Sequence, residues 1–351
     1  MISNYLCPLC KSNNWKSVQN YIYETQKYSS FSLPYQDKFI HRLHRLRSLC
    51  YALLYAAPKP KNISVKMLTA YERLRRDVLF EIWFPDKNEV ILTSQYCTNC
   101  GFMTYTPRPT KTDLRAKYEF LNKHNTSEET EELLQFLEKD HYSKRNREEI
   151  YKLVTCELSE KKLKVLDFGG GNGWYLSPFL EHGHECSLID NDEEQLPGIK
   201  KIANEIHEIP SNVMFDAIIC RATLEHVADP LSIIKKFYVI LRDNGVVYAL
   251  VPVEILGGIS RLESDPVTHI NFFTRKSFEL LFKLADFEIV NSSIDAMKNI
   301  WVVARKAKIK STVTYTNNIL EIERLLYPGR LYTLKNAFLH NFRLFYWRYF
   351  H

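Results

Sequence analysis

Val165-Leu-Asp-Phe-Gly-Gly-Gly-Asn-Gly-Trp174 reads as a buried strand that runs into a glycine-rich turn and then a helix. An acid, Asp190, closes the next strand about twenty residues later. A nucleotide-like cofactor needs this arrangement. Glycines let backbone approach the ligand, a helix N-terminus offers unpaired N–H groups, and a carboxylate at the second strand end can accept from both ribose hydroxyls. The spacing Asp167-x-Gly169-x-Gly171-x-Gly173 is not the dinucleotide fingerprint, which wants its third glycine one residue later. A nicotinamide dinucleotide is therefore disfavoured.

Working outward, apolar periodicity predicts a helix at 144–158 and strands near 163–168, 185–190, 215–220, 245–251, 286–292 and 299–305. Helices are expected near 173–182, 230–241 and 275–285. Alternating strands and helices argue for a parallel α/β sheet. The last two strands lie close in sequence, so they are expected to pair antiparallel. The stretch from Asp190 to Phe215 is short for a helix plus a strand, which makes the third strand the weakest element.

Four stretches, in order, resemble the class I S-adenosylmethionine-dependent methyltransferases. They are Asp167 to Gly173, Leu188-Ile-Asp190, Phe215 to Pro230 with Leu-Glu-His-Val-Ala-Asp-Pro at its end, and Leu241 to Pro252 around Gly245. The resemblance implies a Rossmann-like parallel sheet with an antiparallel last strand, and S-adenosylmethionine as cofactor. Gly169, Gly171 and Gly173 would then shape the turn against the cofactor's amino-acid part, with Asp167 near its ammonium group. Asp190 would take the ribose, and Glu205 falls where similar proteins place an acid near the adenine.

Upstream, Cys7-Pro-Leu-Cys10 and Cys97-Thr-Asn-Cys100-Gly101 are knuckle-like pairs. Two intervening residues let both thiolates face one tetrahedral ion, and four thiolates leave no open position, so a structural zinc is expected rather than a catalytic one. Tyr96 to Thr110, with Leu114 and Tyr118, resembles the zinc-binding module that precedes one methyltransferase subgroup. That subgroup includes C-methyltransferases of nucleotide-linked deoxysugars.

The expected organisation is a small zinc-ribbon-like module over 1–110 with a helical insertion at about 21–94, a helical connector over 111–150, the cofactor domain over 151–305, and a basic aromatic helical tail over 306–351. Gln36 to Phe80 carries ten Lys/Arg against three Asp/Glu, and Val65 to Trp83 reads as an amphipathic helix. A phosphate, nucleotide or lipid headgroup would suit this basic stretch, and so would plain solvent. The connector's middle is acidic, with Glu128, Glu129, Glu131 and Glu132. Thr333 to His351 holds seven aromatics, three Lys/Arg and no acid. An interfacial membrane anchor reads this way, as does a helix docked on its own domain or on a second subunit.

Composition bounds the class. The chain has 351 residues, 45% hydrophobic and 25% charged, with a net charge of +6, which is ordinary for a globular protein and by itself implies no nucleic acid. Four of its eight cysteines form the two pairs, which is metal-site usage in a reducing compartment. Met1-Ile-Ser-Asn-Tyr has no basic or apolar run, and no segment approaches a membrane span, so a cytoplasmic location is expected.

For proton transfer the candidates are Glu225 and His226, placed after the fourth strand at the sheet's carboxyl edge, and His269, which recurs after the fifth strand in the resembled subgroup. An imidazole titrates near working pH, which suits a general base. A role on the cofactor side or in the structure fits each histidine as well. The expected function is methyl transfer to a small molecule or saccharide, in particular a nucleotide-linked sugar or surface polysaccharide. The alternatives are an O-methyltransferase of a lipid or quinone at a membrane surface, and a non-catalytic zinc-ribbon protein that binds nucleic acid.

Overall fold

The computed structural model describes residues 6–24, 76–124, 141–159, 162–191, 195–254, 267, 269–295, 299–308, 322–323 and 326. Most of the basic stretch, the acidic middle of the connector and the tail from 333 onward lie outside the described residues.

Two sheets make the fold. The first is antiparallel, with β1 (Trp15–Glu24), β2 (Glu89–Cys97) and β3 (Met103–Thr106) in that order. The insertion is therefore shorter than expected, because residues 21–24 and 89–94 are the paired ends of the β1–β2 ladder. Val78–Trp83, expected as the end of an amphipathic helix, winds as a π-helix instead. Its Val78, Leu79 and Phe80 are buried with Tyr21, Val90 and Leu92. Helix α1 (Lys111–His124) follows β3, and α2 (His141–Thr155) runs across the expected connector–domain boundary at 150/151.

The second sheet holds β4 (Lys164–Phe168), β5 (Glu185–Ile189), β6 (Lys200–Ala203), β7 (Phe215–Arg221), β8 (Leu241–Pro252), β9 (Phe287–Ile294) and β10 (Asn299–Lys306). Their spatial order is β6-β5-β4-β7-β8-β10-β9. All neighbours are parallel except β10, which is antiparallel to both β8 and β9. The expected antiparallel last strand is thus present, slotted between its two predecessors. The strand order reverses between β4 and β7, and open α/β sheets bind ligands beyond the carboxyl ends at such a point.

Strand parity divides the core. Leu166, Phe168, Ile218, Cys220, Val247 and Ala249 face one side, where they pack with α4 (Pro230–Ile240), α5 (Arg275–Lys283) and the cysteine knuckles. Val165, Ala217, Ile219, Val246 and Tyr248 face the other, against α2 and the short α3 (Ser177–Glu181). Strands buried on both faces explain the near-continuous apolar runs in the sequence. Local chemistry starts the helices. Asp229 accepts from the Ser232 amide with Pro230 at the first position of α4, and Thr274 with Ser277 forms a capping box on α5.

The first sheet is not a separate body. Met103 and Phe272 exchange both backbone hydrogen bonds, so β3 pairs with the segment that carries His269. Phe102 stacks edge-on against Phe273, and Tyr105 against Phe272.

Gly245 lies on β8 beside the irregularity in its pairing with β7 between Phe215 and Ala217. A Cβ there would lie 2.8 Å from the Asp216 carbonyl oxygen. Gly245→Ala should therefore destabilise the fold by about 1–3 kcal/mol, read as a lower urea midpoint. An unchanged midpoint would mean that the two strands part more easily than their packing implies.

Candidate active site

The glycine turn leaves β4 and closes back on β5. Gly169 donates its amide to the Ile189 carbonyl at 2.8 Å, and Gly171 donates to Asp190 Oδ2 at 2.8 Å. The turn and the second-strand carboxylate therefore meet in one place. Gly169 has φ +70°, and a Cβ on it would strike Thr223 at 2.3 Å. Only glycine satisfies both conditions. Gly171 and Gly173 also have positive φ, and the space around Gly171 is open.

Asp167 lies beneath this turn, 1% exposed, and neither carboxylate oxygen has a hydrogen-bond partner among the described residues. Burial, helped by the charge of Asp190 and opposed by Arg221, pushes its carboxyl up to about 7. A buried, unpartnered carboxyl beside an open glycine cradle fits a ligand that brings a cationic group and a ribose. Trp174 and Tyr175 lie under guanidinium groups: Arg147 is 4.0 Å from the first ring centroid and Arg221 4.4 Å from the second. Glu205 stands at the same sheet edge beyond β6, where Lys111 of α1 donates to it at 2.7 Å and holds its carboxyl below the ordinary range.

A second cluster forms from the loop after β7 and the segment before α5. Thr223 Oγ1 donates to the Phe168 and Gly169 carbonyls, so this loop abuts the cradle. Glu225, two residues on, is 1% exposed, and neither carboxylate oxygen has a hydrogen-bond partner among the described residues. Burial, opposed by the neighbouring His269, pushes it up to about 7. His226 Nε2 lies 3.9 Å from Glu225 Oε1, and the His226 and His269 rings meet edge to face at 4.6 Å. His269 Nδ1 donates to Glu254 Oε1 at 2.5 Å. Burial opposes charge on His269, but Glu254 and Glu225 outweigh it and the net shift is upward. One ligand-type atom from each of Glu225, His226 and His269 lies within 4.8 Å of the others. The structure therefore brings the three sequence candidates together in one cluster.

The four cysteines also converge. Cys7 Sγ is 3.5 Å from Cys100 Sγ and Cys10 Sγ is 3.5 Å from Cys97 Sγ, and all four atoms lie within 4.8 Å of one another. A tetrahedron with metal–sulfur bonds of about 2.3 Å has edges of about 3.8 Å, so the set fits one ion. The two knuckles share a backbone. Lys11 donates to the Cys7 carbonyl and Gly101 to the Cys97 carbonyl, each at 2.9 Å and each with positive φ.

Residues 124–292 match the family model described as a methyltransferase domain. With the strand order and the glycine–Asp190 cradle, this gives the region the Rossmann-like fold of the class I S-adenosylmethionine-dependent methyltransferases. Among curated proteins the chain is similar to the tRNA 5-carboxymethoxyuridine methyltransferase of Escherichia coli K12, 32% identical, covering 26% of this chain and 41% of that protein. It is similar also to the ubiquinone biosynthesis O-methyltransferase of Rickettsia canadensis, 26% identical, covering 28% and 47%. The chain spans less than half the length of these relatives. Among solved structures it is similar to magnesium protoporphyrin IX methyltransferase from Synechocystis PCC 6803 with bound SAH, at 13% identity, TM-score 0.40, covering 46% of this chain and 83% of that one.

The titration of Asp167 has a checkable consequence. The folded chain holds its proton more tightly than the unfolded chain does. The stability this adds is fully present below the ordinary carboxylate range and is lost as pH rises through about 7. A cationic ligand group selects the ionised form. Affinity for S-adenosylhomocysteine should therefore climb as pH rises through 7, and should fall by up to about tenfold per pH unit below it. Asp167→Asn should bind weakly and flatten that dependence in calorimetric titrations. A wild-type affinity constant from about pH 5.5 to 8.5 would contradict the assignment.

Proposed function

We propose that this chain transfers a methyl group from S-adenosylmethionine to a small-molecule or saccharide acceptor, in particular a nucleotide-linked sugar or surface polysaccharide. The observation that carries the reading is the adjacency of the glycine–Asp190 cradle and the Glu225–His226–His269 cluster across Thr223. The likeness of the cysteine module to that of the sugar C-methyltransferases favours a sugar.

When bound, the cofactor supplies a methyl group activated on a sulfonium, and the chain's work is to orient and to move a proton. Asp190 would hold the ribose and Asp167 the ammonium end. Glu205, paired with Lys111, would border the adenine. On the acceptor side, the cluster removes a proton from a hydroxyl, or from carbon beside a keto group. Burial pushes the Glu225 carboxyl up to about 7, and Glu254 and Glu225 shift His269 upward, with Glu254 holding the His269 ring through Nδ1. The four cysteines would hold a zinc ion whose role is structural, because their thiolates complete its coordination.

A second reading is an O-methyltransferase for a lipid or quinone. It rests on similarity to the ubiquinone-pathway protein and on the basic and aromatic stretches of the sequence. A third acceptor class, tRNA, follows from the other relative. Methyl-labelled cofactor incubated with a host extract, then fractionated into nucleotide sugars, polysaccharide, lipid, protein and nucleic acid, separates them. Label is expected in the sugar fractions and should vanish with Asp190→Ala. Label confined to lipid or to tRNA would overturn the sugar reading in favour of the corresponding alternative.

The metal has its own test. Cys97→Ser should carry about one zinc equivalent less than wild type by elemental analysis, and should melt at lower temperature, because metal binding at such sites is coupled to folding. Wild-type protein that is free of metal and still unfolds cooperatively would refute the zinc site.

A further inference from the structure

Arg108 belongs to the cysteine module, yet most of its hydrogen bonds fall on the acceptor side. Nη1 donates to the Ile270 carbonyl at 2.7 Å and to Thr104 Oγ1 at 2.7 Å. Nη2 donates to Asn271 Oδ1 at 2.6 Å and to the Ala228 carbonyl at 2.9 Å. One planar group thus ties β3's Thr104 to the loop that follows Glu225-His226 and to the two residues that follow His269. Asn271 extends the tie. Its Oδ1 is taken by Arg108, and its Nδ2 donates to the Leu224 and Val227 carbonyls, each at 2.7 Å. Those two carbonyls bracket Glu225 and His226. The Glu225 carbonyl in turn accepts from the Ile270 and Asn271 amides at 2.9 and 3.0 Å.

We infer that Arg108 is the positioning residue of the proton-transfer cluster, and that through it the cysteine module sets the spacing between His226 and His269. The inference rests on the reading of Glu225, His226 and His269 as the acceptor-side cluster. The chemistry calls for arginine. Five acceptors on three chain segments, the Val227 carbonyl at 3.4 Å among them, lie around one rigid fork, and a lysine ammonium, a point charge with three rotatable donors, cannot reproduce that fork. A carbonyl staple with only a structural role predicts a different outcome. Removing it would lower stability without changing how the two imidazoles titrate.

The test needs no acceptor. Histidine-labelled full-length protein is titrated by NMR, with His226 and His269 assigned by single His→Gln variants. The groups that face His269 are Glu254, Glu225, His226 and Lys117. Arg108→Ala should move the midpoint of at least one of the two imidazoles by about half a pH unit or more, since their separation from Glu225 and Glu254 changes. Arg108→Lys should give an intermediate shift, and millimolar methylguanidinium should partly restore the alanine variant. Affinity for S-adenosylhomocysteine should stay within about twofold, because the cradle is built on other strands. If Arg108→Ala does not fold, Arg108→Gln is judged by the same criteria. Imidazole midpoints that match wild type in a folded variant would overturn the inference, as would cofactor affinity falling in step with melting temperature. Normal titration shifts with no methyl transfer to any fraction would instead count against the proposed reaction and leave the positioning role standing.

Discussion

Two carboxyl groups are buried at the mouth of the sheet without a hydrogen-bond partner among the described residues, and the candidate site is organised around them. Asp167 and Glu225 are each 1% exposed. An ionised carboxylate in such a place costs several kcal/mol unless something positive or hydrogen-bonding meets it. The fold meets this cost by holding both groups near neutrality and by placing each beside a place where a cation can form or arrive. For Asp167 that place is the open glycine turn. For Glu225 it is the pair of imidazoles. Val165, Leu166, Ile218, Ile219 and Leu224 are fully buried around the two acids.

The cysteine module takes part in this arrangement directly. Its knuckles share a core with Leu166, Phe168 and Leu224, its third strand adds to the His269 segment, and its exit residue Arg108 reaches the loop beyond His226. Cys7, Cys97 and Phe102 are buried in that shared core, so a change at the four sulfurs reaches the wall that carries His226 and His269. Structural and catalytic parts are therefore poor names for two separate regions of this chain, because one set of contacts serves both.

The cradle was legible in the sequence because its chemistry is local. Glycine spacing, the strand before it and the acid about twenty residues on are all short-range signals. The candidate base cluster was legible through position, since Glu225-His226 directly follows a strand's carboxyl end. Other parts were hidden for physical reasons. Strand β6 is four residues long and only partly buried, so it carries no apolar run for periodicity to detect. Glu254 and Arg108 act through partners 15 and 163 positions away, and neither side chain announces that partner locally. Arg108 sat in a stretch already read as part of the module, and Glu254 falls two residues beyond β8, at the same sheet edge as the other site residues. The insertion was drawn too wide because the β1–β2 ladder continues into it.

The two halves of the cysteine site lie far apart along the chain: Cys7 meets Cys100 across 93 positions, and β1 is separated from β2 by the whole basic stretch. Closing a loop this long costs conformational entropy, but the cost grows only with the logarithm of length, about 0.6 kcal/mol per doubling. The β1–β2 ladder and whatever clasps the four sulfurs meet that cost together. The join between β1 and β2 is consequently the place in this fold where added sequence is thermodynamically cheapest, and where a lineage could acquire a new recognition segment without disturbing the chemistry at the other end of the module.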